Sequence, residues 1–312
     1  MKKGLKLKLG MSVASLALLA GALSTTTYAW FTANATATTQ QVTAQAKSAG
    51  ADLYLSNDGI KFSASVTPEL KWGNTTTNYD GATNKLDAVT GKFTENAFSA
   101  TDKGGVAATT GYVYFDLYFK TTANNVDVVF GAASGETNST KISSEGATKF
   151  TLLGATTDSE GTEITAGNQV MASIVNASRF GIVNYTSTDA TTDGSKPEVA
   201  GESAVASGSN IYMASESLED ASFKDFGSTE DVSKGAGAYY HNVMGETLTH
   251  DTITAPALFT TATLVSDLSA GKVGRIRVYI WLEGWDEDCF DAVLGQSMNM
   301  VFSFTTKTHV AA

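Results

Sequence analysis

Apolar and polar positions alternate without a break from Tyr112 to Phe119. Val113, Phe115, Leu117 and Phe119 share one side, and Tyr112, Tyr114, Asp116 and Tyr118 share the other. A period of two predicts a β-strand, and the tyrosine-rich second face predicts partial cover by a loop or another sheet. The same signal recurs near the C-terminus. Ile276, Val278, Ile280 and Leu282 share a face across 275–282, and Met298, Met300, Phe302 and Phe304 alternate with Asn299, Val301 and Ser303. The connection over 283–296 is too long for a tight hairpin. Shorter strand candidates lie at 51–55, 60–66, 126–130, 150–153, 170–175 and 179–185, between turns rich in Gly, Asn, Asp and Ser. Many short strands with polar turns predict an all-β fold, a jelly-roll or β-sandwich over residues 51–312. Abundant Thr, Ser, Ala, Gly and Asn favour the same reading over helices, and no repeat of fixed period points to a solenoid or propeller.

The stretch 186–254 breaks the pattern. It is rich in Ser, Gly, Ala, Asp and Glu, shows little periodicity, and holds one short helix candidate at 215–226. Its thin apolar content does not close a core of its own, so it reads as a long polar loop insertion between strands.

The N-terminus reads as a leader. Lys2, Lys3, Lys6 and Lys8 precede an apolar run from Met11 to Leu23 and a small-residue stop ending at Ala29. That is the layout of a secretory signal peptide over 1–29, cut between Ala29 and Trp30. The apolar run is shorter than the about 20 residues a spanning helix needs, so no membrane insertion is expected after signal removal. Four of the 21 Lys and Arg lie in the leader, leaving 17 against 32 Asp and Glu. A chain this acidic lacks the basic footprint for nucleic acid and is repelled by anionic lipid. Cys289 is the single cysteine, so stability comes from packing rather than disulfides.

Behind the expected cut, the seventeen residues 30–46 carry no charge in a chain that is 17% charged. They alternate as well: Phe31, Ala33, Ala35 and Ala37 on one side, Thr32, Asn34, Thr36 and Thr38 on the other, with Val42 further on. Edge strands are normally guarded by charge, proline or bulges because unpaired N–H and C=O groups recruit other chains. An unguarded terminal ribbon is suited to joining a neighbour's sheet, and a head-to-tail contact that does not close builds a filament. Residues 30–50 are therefore the candidate donor strand, with Trp30, Phe31, Ala33, Ala35, Ala37 and Val42 as its polymerisation residues. The competing readings are a flexible stalk and a strand that stays in its own domain.

The chain resembles the TasA and camelysin family of exported Gram-positive biofilm-matrix proteins at both ends. The Lys-rich start, short apolar run and Tyr28-Ala29-Trp30-Phe31-Thr32 look like the signals cut by the dedicated signal peptidase of TasA-like proteins. Gly50-Ala51-Asp52-Leu53-Tyr54-Leu55 is similar to that family's Gly-x-Leu-x-Leu strand. The stretch from Arg277 to Cys289, with Trp281-Leu282-Glu283-Gly284-Trp285-Asp286-Glu287-Asp288, looks like a C-terminal motif of exported proteins with the same signal type. The resemblance covers about a fifth of the chain. It implies a jelly roll whose N-terminal strand complements the next subunit in an extracellular fibre, a homopolymer with an accessory matrix protein as a further partner. The length and the polar insertion depart from the family.

Candidate chemistry is sparse. His241, His250 and His309 form no His-Glu-x-x-His pair, and the first two read as solvated loop residues. Cys289 has no motif partner among flanking acids that disfavour a thiolate and reads as an inert buried thiol. Gly-x-Ser-x-Gly and a phosphate-cradling loop are absent. Asp286, Glu287, Asp288 and Asp291 are weak calcium candidates; their spacing is not that of the helix–loop–helix site, and they read as a solvated acidic turn. Trp281 and Trp285 read as cover for the sheet rather than as sugar platforms. The sequence assigns no catalytic residue and no cofactor. It ranks a secreted fibre subunit first, a monomeric adhesin binding glycan or protein second, and a camelysin-like metalloprotease third.

Overall fold

The computed structural model describes residues 38–46, 53–94, 97–102, 105–130, 141–144, 146–191, 195–197, 211–213, 233–244, 257–258, 263–290, 293 and 296–310. Its principal strands are β1 (Thr38–Ala46), β2 (Leu53–Ser56), β3 (Ala88–Thr94), β4 (Ala97–Thr101), β5 (Val113–Thr121), β6 (Val126–Phe130), β7 (Lys141–Ser144), β8 (Ser178–Asp189), β9 (Ile211–Met213), β10 (Thr263–Leu268), β11 (Lys272–Glu283) and β12 (Ser297–Thr308). Among the described residues two helices join them, α1 (Ile174–Ala177) and α2 (Gly235–Met244).

The strands form two packed sheets. The first runs β10–β6–β12–β1, with the short ladder Ser65–Val66 beyond β1 and with β7 also pairing with β12. The second has β9–β8–β11–β5–β2 as its body. β11 lies at its centre, antiparallel to β8 from Ser178↔Leu282 onward and to β5 from Val273↔Lys120 to Ile280↔Val113. The chain crosses between sheets repeatedly. β10 pairs with β6 in the first sheet, yet β11 follows it in the second after a turn at Gly271, whose φ of 83° suits glycine.

Alternation drives the packing. Along β12 Met298, Met300, Phe302 and Phe304 are buried, and they face Phe115, Leu117 and Phe119 of β5 and Ile276, Val278 and Ile280 of β11. Ring contacts stitch the layer: Phe115 to Phe302 at 5.7 Å, Phe119 to Phe304 at 5.1 Å and Phe130 to Phe180 at 6.0 Å. Offset and edge-on aromatic pairs at these separations add to the area burial that dominates the core.

A second, smaller core covers the outer face of the second sheet. β3 pairs with the end of β11, in parallel at Leu282↔Ala88, and turns into β4. Phe93 and Phe98 of this hairpin lie over Tyr279 and Trp281, with Phe98 stacked on Tyr279 at 4.2 Å. The approach demands two glycines: a Cβ on Gly91 would stand 2.4 Å from Trp281, and one on Gly181 2.4 Å from Phe93. The tyrosine-rich face of 112–119 is thus covered in part, at its Tyr112 end, as its pattern predicts, and Trp281 is fully buried.

Elsewhere the structure redraws the sequence reading. Only Ser65–Val66 of 60–66 pairs as a strand, because the chain turns at Asp58-Gly59 first. The candidate at 170–175 stops at Ala172, where the Ser173 hydroxyl accepts from the Val175 N–H and caps α1. Residues 186–254 are not all external to the core. Thr186–Asp189 complete β8, β9 joins the second sheet, and Tyr212, Ala236 and Tyr239 are core residues. The helix in this stretch is α2; the candidate at 215–226 lies outside the described residues. α2 forms despite two glycines because Tyr239 docks against Phe150 at 5.5 Å and Phe290 at 5.7 Å, so tertiary contact overrides propensity.

Phe302→Ala is expected to cost about 3–5 kcal/mol, read as a shift in urea midpoint. Leu153→Ala, at a side chain 79% exposed, is expected to stay within about 0.5 kcal/mol of the parent.

Candidate functional site at the N-terminal strand and the acidic corner

β1 lies in the first sheet of its own chain. It runs parallel to β12 from Thr38↔Ser297 to Ala46↔Phe304, with a register shift between Thr39 and Gln41. Val42 and Ala44 are buried against the core, and Gln45 Nε2 donates to Ser303 Oγ at 3.0 Å. On its other side β1 meets only Ala44↔Val66 and Gln45↔Ser65, with the Ala46 N–H donating to the Ala64 carbonyl. Among the described residues no strand pairs with the outer side of 38–43. Among the described residues β1 is therefore flanked on both sides at its end and on one side along 38–43. Of the polymerisation residues, Val42 is seated at home; Trp30, Phe31, Ala33, Ala35 and Ala37, with Ala29 of the expected cut, lie outside the described residues.

The short closing strand is positioned by a carboxylate-held turn. Asp58 Oδ1 accepts from the Ile60 N–H at 2.8 Å, the Lys61 N–H at 2.9 Å and the Ser56 hydroxyl at 2.7 Å. Gly59 supplies the left-handed residue at φ 74°. The returning chain then exchanges backbone bonds between Leu55 and Ser63 before reaching β1, so this hairpin ties the edge of the second sheet to the first. The backbone donors from Lys61 and Ile60 hold the Asp58 carboxyl down at about 2.

The acidic residues of the C-terminal motif are buried, not solvated. Glu283, Asp286, Glu287 and Asp288 are each at most 1% exposed, whereas Asp291 lies outside the described residues. Arg179, fully buried on β8, offsets part of that charge. Its guanidinium pairs with Asp286 and donates to the Asn176 and Ser178 carbonyls at 2.8 and 2.9 Å. Glu283 accepts from Thr90 Oγ1 at 2.8 Å, Trp281 Nε1 at 3.1 Å and the Trp285 N–H at 3.3 Å. Burial pushes the Asp286 and Glu283 carboxyls up, with Arg179 opposing it in both. Burial, with Asp286 and Glu283 adding to it, pushes the Cys289 thiol far up, which makes it inert as a nucleophile. The backbone is used too: the Ala236 N–H donates to the Glu287 carbonyl at 2.8 Å. A Cβ on Gly235 would stand 2.3 Å from that carbonyl oxygen.

This corner therefore joins β3, β8, β11, α1 and α2 through groups already committed to one another. Among the described residues no set of three or more His, Cys, Asp or Glu is placed to hold a metal ion. His309 is at the far end of β12, 2.7 Å from Asp127, while His250 and the His241 side chain lie outside the description. The signal for the corner was available in the sequence as Trp281, Glu283, Trp285 and Asp286 within six positions; its partner Arg179, about a hundred residues away, carried none. Among the described residues no helix is long and apolar enough to cross a membrane. Comparison with family models, curated proteins and solved structures finds no match for this chain.

Arg179→Met is expected to cost about 3–5 kcal/mol because it strands buried carboxylates, whereas Arg179→Met with Asp286→Leu recovers much of that loss; urea unfolding of single and double variants measures both. The Asp58 carboxyl is depressed when folded, so its stabilisation is present above the usual carboxylate range and is lost as pH falls through about 2. Asp58→Asn should lower the Tm at neutral pH and converge on the parent near pH 2; a constant Tm gap across that range would contradict this.

Proposed function

We propose that this protein is an extracellular structural subunit, secreted through its leader and assembled into a surface or matrix fibre by exchange of its N-terminal strand. The observation that carries the reading is the seating of β1: an uncharged ribbon paired in parallel with β12 along its length, with no strand among the described residues paired to the outer side of 38–43.

The energetics favour exchange. β1 contributes main-chain pairing and, among its described side chains, the small apolar Val42, Ala44 and partly buried Ala46, to a seat built by residues from far along the chain. The same ribbon from another copy makes the same contacts, so the two arrangements differ mainly in loop closure, linker strain and concentration. Residues 30–37 lengthen the uncharged ribbon at its free end, and when β1 is passed on, the six residues 47–52 that join it to β2 span up to about 20 Å when extended. Passing the ribbon head to tail gives an open filament rather than a closed dimer. The mature chain's acidity suits a solvated fibre surface. The fibre is a homopolymer with room for an accessory matrix protein, in keeping with the resemblance at both ends of the chain.

A cysteine pair at Gln45 and Ser303, whose side chains touch across the β1–β12 boundary, tests the reading. In the chain begun at Trp30, Q45C/S303C is expected to give disulfide-linked ladders on non-reducing gels of fibres. Oxidising the monomer first is expected to lock the strand at home and stop fibre growth until reductant is added. A pair that closes only within one copy at every concentration and pH, with no filaments by electron microscopy, would sink the proposal.

A further inference from the structure

Residues 69–79 form a small hairpin on the second sheet. Lys71 and Trp72 pair with Tyr114 and Val113 of β5, and Lys71 bridges in turn to Asn78. The Trp72 N–H donates to the Thr77 carbonyl at 2.9 Å and the Tyr79 N–H to the Leu70 carbonyl at 2.8 Å. The Trp72 and Tyr79 rings pack 5.8 Å apart. The backbone therefore fixes the side chains of Lys71 and Asn78 as direct cross-strand neighbours.

Three functional groups meet there. Lys71 Nζ donates to Asn78 Oδ1, Asn78 Nδ2 donates to Glu69 Oε1, and Glu69 Oε2 lies 3.3 Å from Lys71 Nζ. A surface ion pair needs only the lysine and the glutamate. Here a carboxamide stands between them, its carbonyl against the amine and its NH2 against the carboxylate. That juxtaposes a nucleophile, an acyl group and a base that touches both the attacking and the leaving nitrogen.

We propose that Lys71 and Asn78 are joined by an intramolecular isopeptide bond whose formation Glu69 promotes. The neutral Lys71 amine adds through its lone pair to Asn78 Cγ. Glu69 takes a proton from Nζ and delivers one to Nδ2; the Cγ–Nδ2 bond breaks, ammonia leaves, and a Cγ–Nζ amide remains. No oxidant or reductant is required. Holding the two groups in register replaces an encounter by an intramolecular step, and proton relay by the carboxylate lowers the barrier further. An ammonium has no lone pair, so the reaction quickens as pH rises. The Lys71 and Glu69 side chains are 25% and 59% exposed, which lets ammonia escape. In a chain whose single cysteine is buried, the bond ties the two arms of this hairpin together without a disulfide. The inference is independent of strand exchange.

Intact mass spectrometry of the full chain, fresh and after incubation at alkaline pH, tests it. The expected result is a mass lower by one ammonia and a branched peptide joining Lys71 to Asn78. Lys71→Arg and Asn78→Ala are expected to keep their sequence masses, and Glu69→Gln to form the bond about 100-fold more slowly. A parent mass equal to the sequence mass under every condition overturns the proposal. So does an ammonia loss that persists in Lys71→Arg, which marks a backbone succinimide, or a gain reporting hydrolysis of Asn78 by water.

Discussion

The buried guanidinium of Arg179 constrains everything around it. A charge taken out of water is costly unless its partners are fixed in place, and Asp286 with the Asn176 and Ser178 carbonyls supplies them. Those partners come from α1, from the start of β8 and from the turn after β11. The turn is held in its own right by Glu283, which gathers Thr90, Trp281 and the Trp285 N–H. One polar knot thus sets where β11 leaves the second sheet and begins its path back to β12 in the first. It also fixes where the β3–β4 hairpin folds over Trp281 and where α2 docks through the Glu287 carbonyl. Low local dielectric strengthens each of these bonds and penalises the loss of any one.

β12 depends on that knot and in turn provides the seat for β1. A rigid seat and a ribbon attached largely by main-chain bonds form an unequal pair. The core of the sandwich is secured by interlocking phenylalanines, whereas β1 adds mainly Val42 and Ala44 to it. Elements with few buried apolar contacts lie at the low-stability end of a native structure, as the proposed strand exchange requires. The same logic accounts for the turn at Asp58, which fastens the closing strand by hydrogen bonds rather than by burial.

Legibility followed the range of the interaction. Strict alternation in 112–119, 275–282 and 298–304 carried three of the long strands, because a strand with one buried face writes its period into adjacent residues. The covered tyrosine face was legible for the same reason. β3, β4, β7 and β10 were missed: Gly91 within β3 and the polar Ser143, Ser144 and Ser266 dilute the alternation, and their places are set by the surfaces they land on. The acidic run 286–288 was misread as solvated because local charge density says nothing of an arginine over a hundred positions away. The insertion was misjudged on average composition, although a few residues, Tyr212, Ala236 and Tyr239, bring part of it into the core.

The sequence by itself determined the fold class, the two-faced strands, the absence of charge in 30–46 and the single cysteine, all properties of neighbouring residues or of composition. The tertiary structure alone decided that 38–46 runs parallel to the C-terminal strand, that Arg179 pairs with Asp286 in the buried corner, and that Glu69, Lys71 and Asn78 meet on one hairpin. Parallel pairing between distant segments and the burial of opposite charges are non-local. Their free energies depend on distances that exist only once the chain has closed its loops.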